Sequence, residues 1–445
     1  MFSGAGAARA RLGYGAGSVE LAYDPTRFEV LEPPLADAGE LDDAALAARL
    51  DAPIGSPPLG SLVGPEERIC VVVPDVTRAS GSARVSAALL ARLGALGVPD
   101  RQIEFLVGAG THRAPTREEI ARIVGPEIAG RVPVAHHDAT NAAAHVRLGT
   151  TSRGTPVELN RRLVESDRVI LVGAIGFHYF AGFSGGRKGI LPACASERSI
   201  QANHLLAFDR AILSRTAGVE SGRLDGNPVS EDMEEAARLL PKPVYLANTA
   251  LDGGNRIAAL YTGDWYAAHR RGCEDYLAAH TVTAPHRRRV VVASCGGAPR
   301  DINMIQSHKA LEHARVVLED GGDLVLLAEC HEGLGRDDFL DWFVPGGSDA
   351  TARLLVKGYR INGQTAWAIR WKSERYRVRL VSSLDDDIVR RMGMIPHPSL
   401  DDALRATDPG STGYIIPSAL GTLPVLQEAA VPSSPPMGTS PATRP

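Results

Sequence analysis

The chain has 445 residues, of which 44% are hydrophobic and 22% are charged, with a formal net charge of −4. This length exceeds one compact core and predicts two domains, and the charge balance gives no electrostatic reason to expect nucleic-acid binding. No apolar run reaches the length of a membrane span, and the N-terminal segment lacks the apolar stretch of a signal peptide.

Five scattered cysteines without a CxxC pair favour a reducing, cytoplasmic location over a disulfide framework. Each is expected to be a small buried apolar side chain. Cys194 and Cys295 carry slightly more functional weight because they lie beside candidate motifs.

The predicted elements begin with a strand at 18–23 and a short helix near 42–50. From residue 68 onward, strands alternate with helices: strands are predicted at 68–73, 102–107 and 168–175, and a helix at 83–96. Thr116 and Glu119 have the spacing of a capping box at a further helix start. This alternation predicts βαβ units and a mostly parallel sheet.

A second α/β rhythm follows a basic segment at 284–289, which is predicted to be a solvated linker. Strands are expected at 290–294, 322–328, 376–381 and 413–417, with helices up to about 317 and at 399–406. The fold class is therefore α/β, with two α/β domains built on mostly parallel sheets. The proline-rich segment 431–445 is predicted to be disordered.

Polar residues follow three of the predicted strands: Asp75 and Arg78 after the first, His112 after the second, and His178 and Lys188 after the third. Parallel strands end at the same edge of a sheet, so these side chains can converge. Arginine offers a bidentate fork for a carboxylate or phosphate, although a surface turn with a local ion pair would have the same sequence.

The stretch 173–204 combines a glycine-rich loop, a lysine and a histidine. It is not a Walker A loop, because Gly189 follows Lys188. Lys188 is either a nucleophile with a lowered pKa or an ordinary surface lysine. His204 lacks the paired spacing of a zinc site, and Gln306 and Lys309 either bind an anion at a helix start or are solvated. His308 is interpreted as structural.

Five motifs occur together and in order: PDVTR at 74–78, GTHRAPT at 110–116, HYFAGFSGGRKGILP at 178–192 with QANH at 201–204, GNP at 226–228, and GGAPRDINMIQSHKA at 296–310. Together they closely resemble the nickel-dependent lactate racemase catalytic subunit family. Its members are 2-hydroxyacid racemases and epimerases that use a nickel-pincer nucleotide. The resemblance covers nearly the whole chain except the C-terminal tail.

The resemblance implies a role for each matching residue. Lys188 would bind the cofactor covalently, His204 would ligate the nickel, and His112 and His178 would be the two acid–base residues. The cofactor nucleotide would be contacted by Asp75, Val76, Thr77 and Arg78. The substrate would be contacted by Arg78, Gln306 and Lys309.

The implied cofactor is the Ni(II)-pyridinium-3,5-bisthiocarboxylic acid mononucleotide, made by separate cofactor-synthesis proteins. It would accept hydride from C2 of a small 2-hydroxy acid and return it to the opposite face, by way of a 2-keto acid. Two alternatives remain open from the residues alone. One is a metal-dependent hydrolase or lyase, and the other is a non-enzymatic carboxylate- or phosphate-binding protein.

The resemblance also implies a division of labour between the domains, with an active site in the cleft between them. Residues 1–283 would form the cofactor-binding domain, to which the chain returns near 400–430, and residues 284–399 would form a substrate-capping domain. The chain departs from the family pattern at Ala79, Ala193 and Ile305, where proline, glycine and an aromatic residue are usual. None of these departures removes a catalytic side chain, but they leave the substrate open.

Overall fold

Side-chain caps begin many helices in the structure, a computed structural model that describes residues 7–34 and 39–427. Thr116 and Glu119 form the predicted capping box, and Asn303 caps a helix that carries Gln306 and Lys309. The helices are α1 (Asp43–Leu50), α2 (Leu59–Leu62), α3 (Ser82–Ala95), α4 (Arg117–Val124), α5 (Pro126–Arg131), α6 (Arg161–Glu165), α7 (Glu197–Leu205), α8 (Pro228–Arg238), α9 (Ala267–His280), α10 (Met304–Ala314), α11 (Gly347–Lys357), α12 (Gly363–Arg375), α13 (Asp386–Arg391) and α14 (Leu400–Arg405). Within the described ranges, none of them combines the length and the apolar character that a bilayer crossing requires.

Short runs rich in β-branched residues form most of the central strands. The strands are β1 (Ala8–Tyr14), β2 (Gly17–Tyr23), β3 (Phe28–Val30), β4 (Ile69–Pro74), β5 (Ile103–Gly108), β6 (Val134–His136), β7 (His145–Thr150), β8 (Pro156–Asn160), β9 (Arg168–Ile175), β10 (Phe177–His178), β11 (Gly182–Phe183), β12 (Phe208–Asp209), β13 (Ser214–Arg215), β14 (Val244–Leu251), β15 (Ile257–Asp264), β16 (Thr281–Ala284), β17 (Arg288–Ser294), β18 (Leu318–Leu327), β19 (Arg377–Val381), β20 (Ile395–His397), β21 (Gly413–Ile416) and β22 (Leu423–Leu426).

The first large sheet has six strands in the order β15-β14-β9-β4-β5-β6. All neighbours are parallel except β15, which runs antiparallel to β14. The three strands whose ends carry the candidate residues, β9, β4 and β5, are adjacent at the centre. Their carboxyl ends therefore meet at one edge, as the sequence predicts.

The second large sheet also has six strands, in the order β20-β19-β18-β17-β21-β3, and all its neighbours are parallel. Helix α10 follows β17 and packs on this sheet through Leu311 and Ala314, which belong to its core. The predicted α/β class with mostly parallel sheets is confirmed. The segment 284–289, predicted to be a solvated linker, is a linker only in its middle, because Ala284 ends β16 and Arg288 begins β17.

The strand pairing differs from the predicted domain boundaries at both ends of the chain. Strand β3 pairs with β21 in the second sheet, and the β1–β2 hairpin buries Leu12 and Leu21 in the same cluster as Val290. Short amphipathic strands need an apolar surface to cover, and their sequence does not say which sheet supplies it. The predicted disordered tail, 431–445, lies outside the described residues.

Candidate active site

A cavity of about 210 Å³ lies between the two sheets. It is lined by the segments that follow β4, β5 and β9 and by residues of α10 and α12. The predicted site residues that line it are Asp75, Arg78, His112, His178, Lys188, His204, Gln306 and Lys309. Residues far apart in sequence thus meet at the carboxyl edge of the first sheet, where open α/β sheets bind their ligands.

His112 is oriented by Asp75, the first residue after β4. The Nδ1 atom of His112 is hydrogen-bonded to the Asp75 carboxylate. Burial alone would raise the pKa of Asp75, but His112, Arg78 and the Thr77 hydroxyl together hold it well below its ordinary value. In the neutral ring, Nδ1–H therefore donates to a carboxylate, and Nε2 is left as the proton acceptor.

Two residues of the first motif do not line the cavity. Thr77 supports Asp75 instead: its backbone N–H and hydroxyl donate to the Asp75 carboxylate at 3.0 and 2.6 Å. Val76 packs against the apolar cluster on the other side of the sheet edge. Of the segment predicted to contact the cofactor nucleotide, Asp75 and Arg78 are the members that line the cavity.

His178 has the opposite arrangement of its ring nitrogens. It is buried, and its Nδ1 accepts a hydrogen bond from the backbone N–H of Ala181 at 3.3 Å. Burial, with the positive charges of Lys188 and Lys309, holds the pKa of His178 well below its ordinary value. The neutral ring therefore carries its proton on Nε2 and can donate it.

The glycine-rich loop takes its shape from Gly185 and Gly186, with φ values of +76° and +55°. The Gly186 N–H donates to the Asn248 side-chain oxygen at 2.7 Å. A Cβ atom at Gly186 would lie 2.4 Å from the His269 ring, so only glycine fits. The loop continues into a single 3₁₀ turn, Gly186–Gly189, which presents Lys188.

The Lys188 amine has no counter-charge. Its Nζ lies 5.5 Å from the centre of the Phe180 ring, and it makes no side-chain hydrogen bond or ion pair with any residue in the described ranges. Burial, with the charges of Arg78 and Arg187, holds the pKa of Lys188 well below its ordinary value. A neutral amine is the nucleophilic form of lysine.

His204 lies near the end of α7, with its ring edge-on to Phe180 at 4.8 Å between centres. Both ring nitrogens are buried, and neither has a hydrogen-bond partner among the described residues. Burial, with the charge of Lys188, lowers the pKa of His204 to about 3. The helix is held in place beside it, because Asn203 donates to the buried Asp232 carboxylate at 2.8 Å. An unpaired neutral imidazole suits a metal ligand.

Gln306 joins the two sides of the cavity. Its side-chain oxygen accepts from Arg78 of the first side at 2.9 Å and also from Lys309 of its own helix. Burial and the charge of Arg78 hold the pKa of Lys309 well below its ordinary value. Arg78, Lys188 and Lys309 share a cavity in which Asp75 is the one described carboxylate residue of the lining. This balance favours an anionic ligand.

Some lining residues were not singled out from the sequence: Asn248, Ile361, Asn362 and Thr365. Asn248 could have been found, because a polar side chain within the apolar strand β14 must have a buried partner. Ile361 and Asn362 lie between α11 and α12, Thr365 lies in the first turn of α12, and none of the three follows a motif. They reach the cavity only through the packing of the second sheet against the first.

The cysteines take no part in this chemistry. All five are free and buried. Burial raises the pKa of the Cys194 and Cys295 thiols well above their ordinary value, so both stay protonated. The expectation that they are small apolar core residues is confirmed.

Fold and cavity define a class: an α/β protein with two mostly parallel sheets and a site at the strand ends that is lined by histidines and basic residues. Residues 14–214 match the lactate racemase N-terminal domain, and residues 284–412 match the lactate racemase C-terminal domain. Over 365 residues, the chain is 30% identical to a lactate racemase of Thermoanaerobacterium thermosaccharolyticum, covering 81% of this chain and 84% of the relative. It is also 30% identical over 386 residues to a lactate racemase of Lactiplantibacillus plantarum, covering 84% and 89%.

The chain therefore belongs to the lactate racemase family, and it is an isomerase of the racemase type. Its fold is similar to that of the lactate racemase apoprotein from Thermoanaerobacterium thermosaccharolyticum. The TM-score is 0.84 at 26% identity, and the match covers 95% of this chain and 100% of the other. A Thermotoga maritima protein, with a TM-score of 0.68 at 19% identity, shares the fold alone.

Proposed function

We propose that this racemase inverts C2 of a small 2-hydroxy acid, with a nickel-pincer nucleotide as cofactor and a 2-keto acid as intermediate. When bound, the nucleotide would supply the acceptor and donor of the C2 hydride. The observation that carries the proposal is the convergence on one cavity of two acid–base histidines, an amine without a counter-charge and an imidazole without a partner. The names of the relatives support lactate as the first substrate to test.

The residues present fit the cofactor. His204 would be the nickel ligand, since both of its ring nitrogens are buried without a hydrogen bond among the described residues. Lys188 would hold the cofactor covalently, since burial and neighbouring cations favour the neutral amine. Asp75 and Arg78 would contact the nucleotide at the end of β4.

The two histidines divide the proton chemistry between them. A hydroxyl is a poor acid, so its proton must pass to a positioned base as C2 loses its hydrogen. The Nε2 atom of His112 can take that proton, because its Nδ1–H is held by Asp75. The resulting His112 imidazolium would return this proton to the same oxygen when C2 regains its hydrogen, so the enzyme ends in the state in which it began. The Nε2–H of His178 would donate a hydrogen bond to that oxygen and stabilise the charge that develops on it.

The carboxylate of the substrate would be held by Arg78 and Lys309. Gln306 bridges these two cations and fixes their relative position. An arginine has five N–H donors, and one bond to Gln306 leaves others for a carboxylate. Because the cavity lies between two sheets, a keto acid held there would be partly shielded from water.

The cofactor would be made by separate proteins, and we propose that the enzyme works in the cytoplasm. Five free cysteines support a reducing compartment.

The test is intact mass and nickel analysis of the protein produced together with cofactor-synthesis proteins. We expect a covalent adduct that is lost in Lys188→Ala and kept in Lys357→Ala, an exposed lysine. Nickel should be lost in His204→Ala and kept in His331→Ala, whose side chain is 48% exposed. Neither adduct nor nickel in the wild-type protein would contradict the proposal. Racemisation in deuterated water should bring little deuterium to C2.

A further inference from the structure

The wall of the cavity that belongs to the second sheet has residues with no role in the proposed reaction. Besides Gln306 and Lys309, it consists of Ile305, His308, Ile361, Asn362 and Thr365. Lys309, a proposed carboxylate contact, belongs to this wall, whereas the proposed cofactor contacts belong to the other walls. A substrate held by Lys309 lies against this wall, so the chemistry of the wall decides which 2-hydroxy acid fits.

His308 is a buried polar residue of this wall, and one of its ring nitrogens has no hydrogen-bond partner among the described residues. Its Nδ1 lies 2.7 Å from the backbone carbonyl of Ile305, and a carbonyl can only accept, so Nδ1 carries the proton. Burial, together with the charge of Lys372, lowers the pKa of His308 to about 3, so the ring is neutral. The Nε2 atom is then an acceptor with a free lone pair.

That lone pair is unsatisfied. His308 is 1% exposed, and its Nε2 has no hydrogen-bond partner among the described residues. The ring meets Tyr179 edge-on at 4.5 Å, but the hydroxyl of Tyr179 is already bonded to Thr365 at 2.7 Å. A buried acceptor left unpaired is destabilising, and a ligand with a hydroxyl would remove that cost.

We propose that Nε2 of His308 accepts a hydrogen bond from a hydroxyl of the substrate beyond C2, which makes the preferred substrate a 2,3-dihydroxy acid or a longer polyhydroxy acid. This inference rests on the proposed function, since it takes the cavity as the site of C2 inversion. Ile305, one helix turn before His308, also lines the cavity. A site built to bond a hydroxyl discriminates strongly against the analogue that lacks it.

The test compares three acids that share C1 and C2: lactate, 2,3-dihydroxypropanoate and 3-methoxy-2-hydroxypropanoate. The methoxy acid keeps the oxygen but cannot donate. With the cofactor-loaded enzyme we expect kcat/KM for the dihydroxy acid to exceed that for the other two by about tenfold or more. His308→Leu should reduce this ratio at least about fivefold, whereas His308→Gln, which keeps an acceptor, should retain most of it.

Circular dichroism melting of each variant checks that it is folded. If the wild-type enzyme treats the three acids alike or prefers lactate, the inference is wrong. It is also wrong if folded His308→Leu and His308→Gln keep the wild-type ratio. Calorimetric binding of the same acids to the same protein separates the two proposals. Racemisation of all three without preference refutes only the His308 subsite, whereas selective binding of the dihydroxy acid without racemisation refutes only the proposed function.

Discussion

At the scale of single residues, the two histidines of the cavity differ in which ring nitrogen carries the proton. His112 is bonded through Nδ1 to an ionised carboxylate, and His178 through Nδ1 to a backbone N–H. A partner that accepts fixes the ring proton on Nδ1, and a partner that donates fixes it on Nε2. One ring thus offers the ligand a proton-accepting nitrogen, and the other offers it a hydrogen-bond donor.

Asp75→Asn tests this assignment. The amide can still contact His112, but it no longer favours a proton on Nδ1, so we expect kcat for racemisation to fall by about 100-fold or more. Asp138→Asn is the matched control, because Asp138 accepts the same pair of hydrogen bonds from the threonine two residues on but lies at the surface. Chiral chromatography measures the rate, and intact mass measures the Lys188 adduct. Activity within about threefold of wild type would contradict the assignment, and loss of the adduct would reassign Asp75 to cofactor binding.

At the scale of elements, the glycine-rich loop connects the sheet to the lysine. Strand β9 lies between β14 and β4, and the loop after it returns to Asn248 of β14. Gly185 and Gly186 both have positive φ, so the backbone turns sharply enough to reach the 3₁₀ turn that carries Lys188. The position of the amine therefore depends on two residues that have no side chain.

Gly186→Ala tests the role of the loop. The new methyl group would lie 2.4 Å from the His269 ring in a left-handed backbone conformation, so we expect a loss of unfolding free energy of about 1–3 kcal/mol and a reduced Lys188 adduct. In Gly130→Ala, by contrast, the methyl group of the α5 residue meets nothing within 4 Å, and stability should stay the same or rise by about 0.5–1 kcal/mol. Urea unfolding gives both values. Equal effects of the two substitutions would show that the loop tolerates a side chain.

At the scale of the whole molecule, helix α10 ties the two sides together at two places. Gln306 contacts Arg78 at the cavity, and Glu312, behind the cavity, pairs with Arg215 at 2.6 Å. Glu312 is 3% exposed on its side chain and also pairs with Lys372 of α12, so the contact is desolvated. The two sides of the cavity are held by buried polar groups from one helix, which links ligand binding to the packing of the sheets.

The buried histidines make the stability of the whole chain depend on pH. Burial lowers the pKa of His204, His269 and His308 to about 3, whereas an unfolded imidazole titrates near 6.5. Between roughly pH 3 and 6.5 the unfolded chain therefore binds protons that the folded chain does not, and the unfolding free energy rises with pH. We expect the Tm of the cofactor-free protein, from scanning calorimetry, to rise between pH 5 and pH 7.

His269→Gln is the variant that isolates one contribution to this slope. It should make the rise in Tm smaller, because it removes one buried ring that stays unprotonated in the folded state. His331→Gln, at an exposed position, should leave the slope unchanged. A Tm that is constant or falls between pH 5 and pH 7 would show that these rings are protonated in the folded state.

Sequence patterns predicted much of the fold and eight of the residues that line the cavity, and the strand ends among them follow from local rules. Apolar β-branched runs form strands wherever they are covered, parallel strands end at one edge, and Thr116 with Glu119 caps its helix through bonds three residues apart. Those rules were enough to predict that Asp75, His112 and His178 lie close together. They could not settle whether Lys188 was exposed or buried, since that depends on what packs over the loop.

By itself, the sequence determined the α/β class, the strands whose ends carry the polar residues, and the motifs that resemble lactate racemases. Only the tertiary structure decided that the N-terminal hairpin covers the second sheet and that Thr77 supports Asp75. It also decided that His308, interpreted as structural from the sequence, lines the cavity with an unpaired nitrogen. The physical reason is the range of the interactions: turns, caps and strand periodicity act over a few residues, whereas burial and charge depend on neighbours that are hundreds of residues away in the chain.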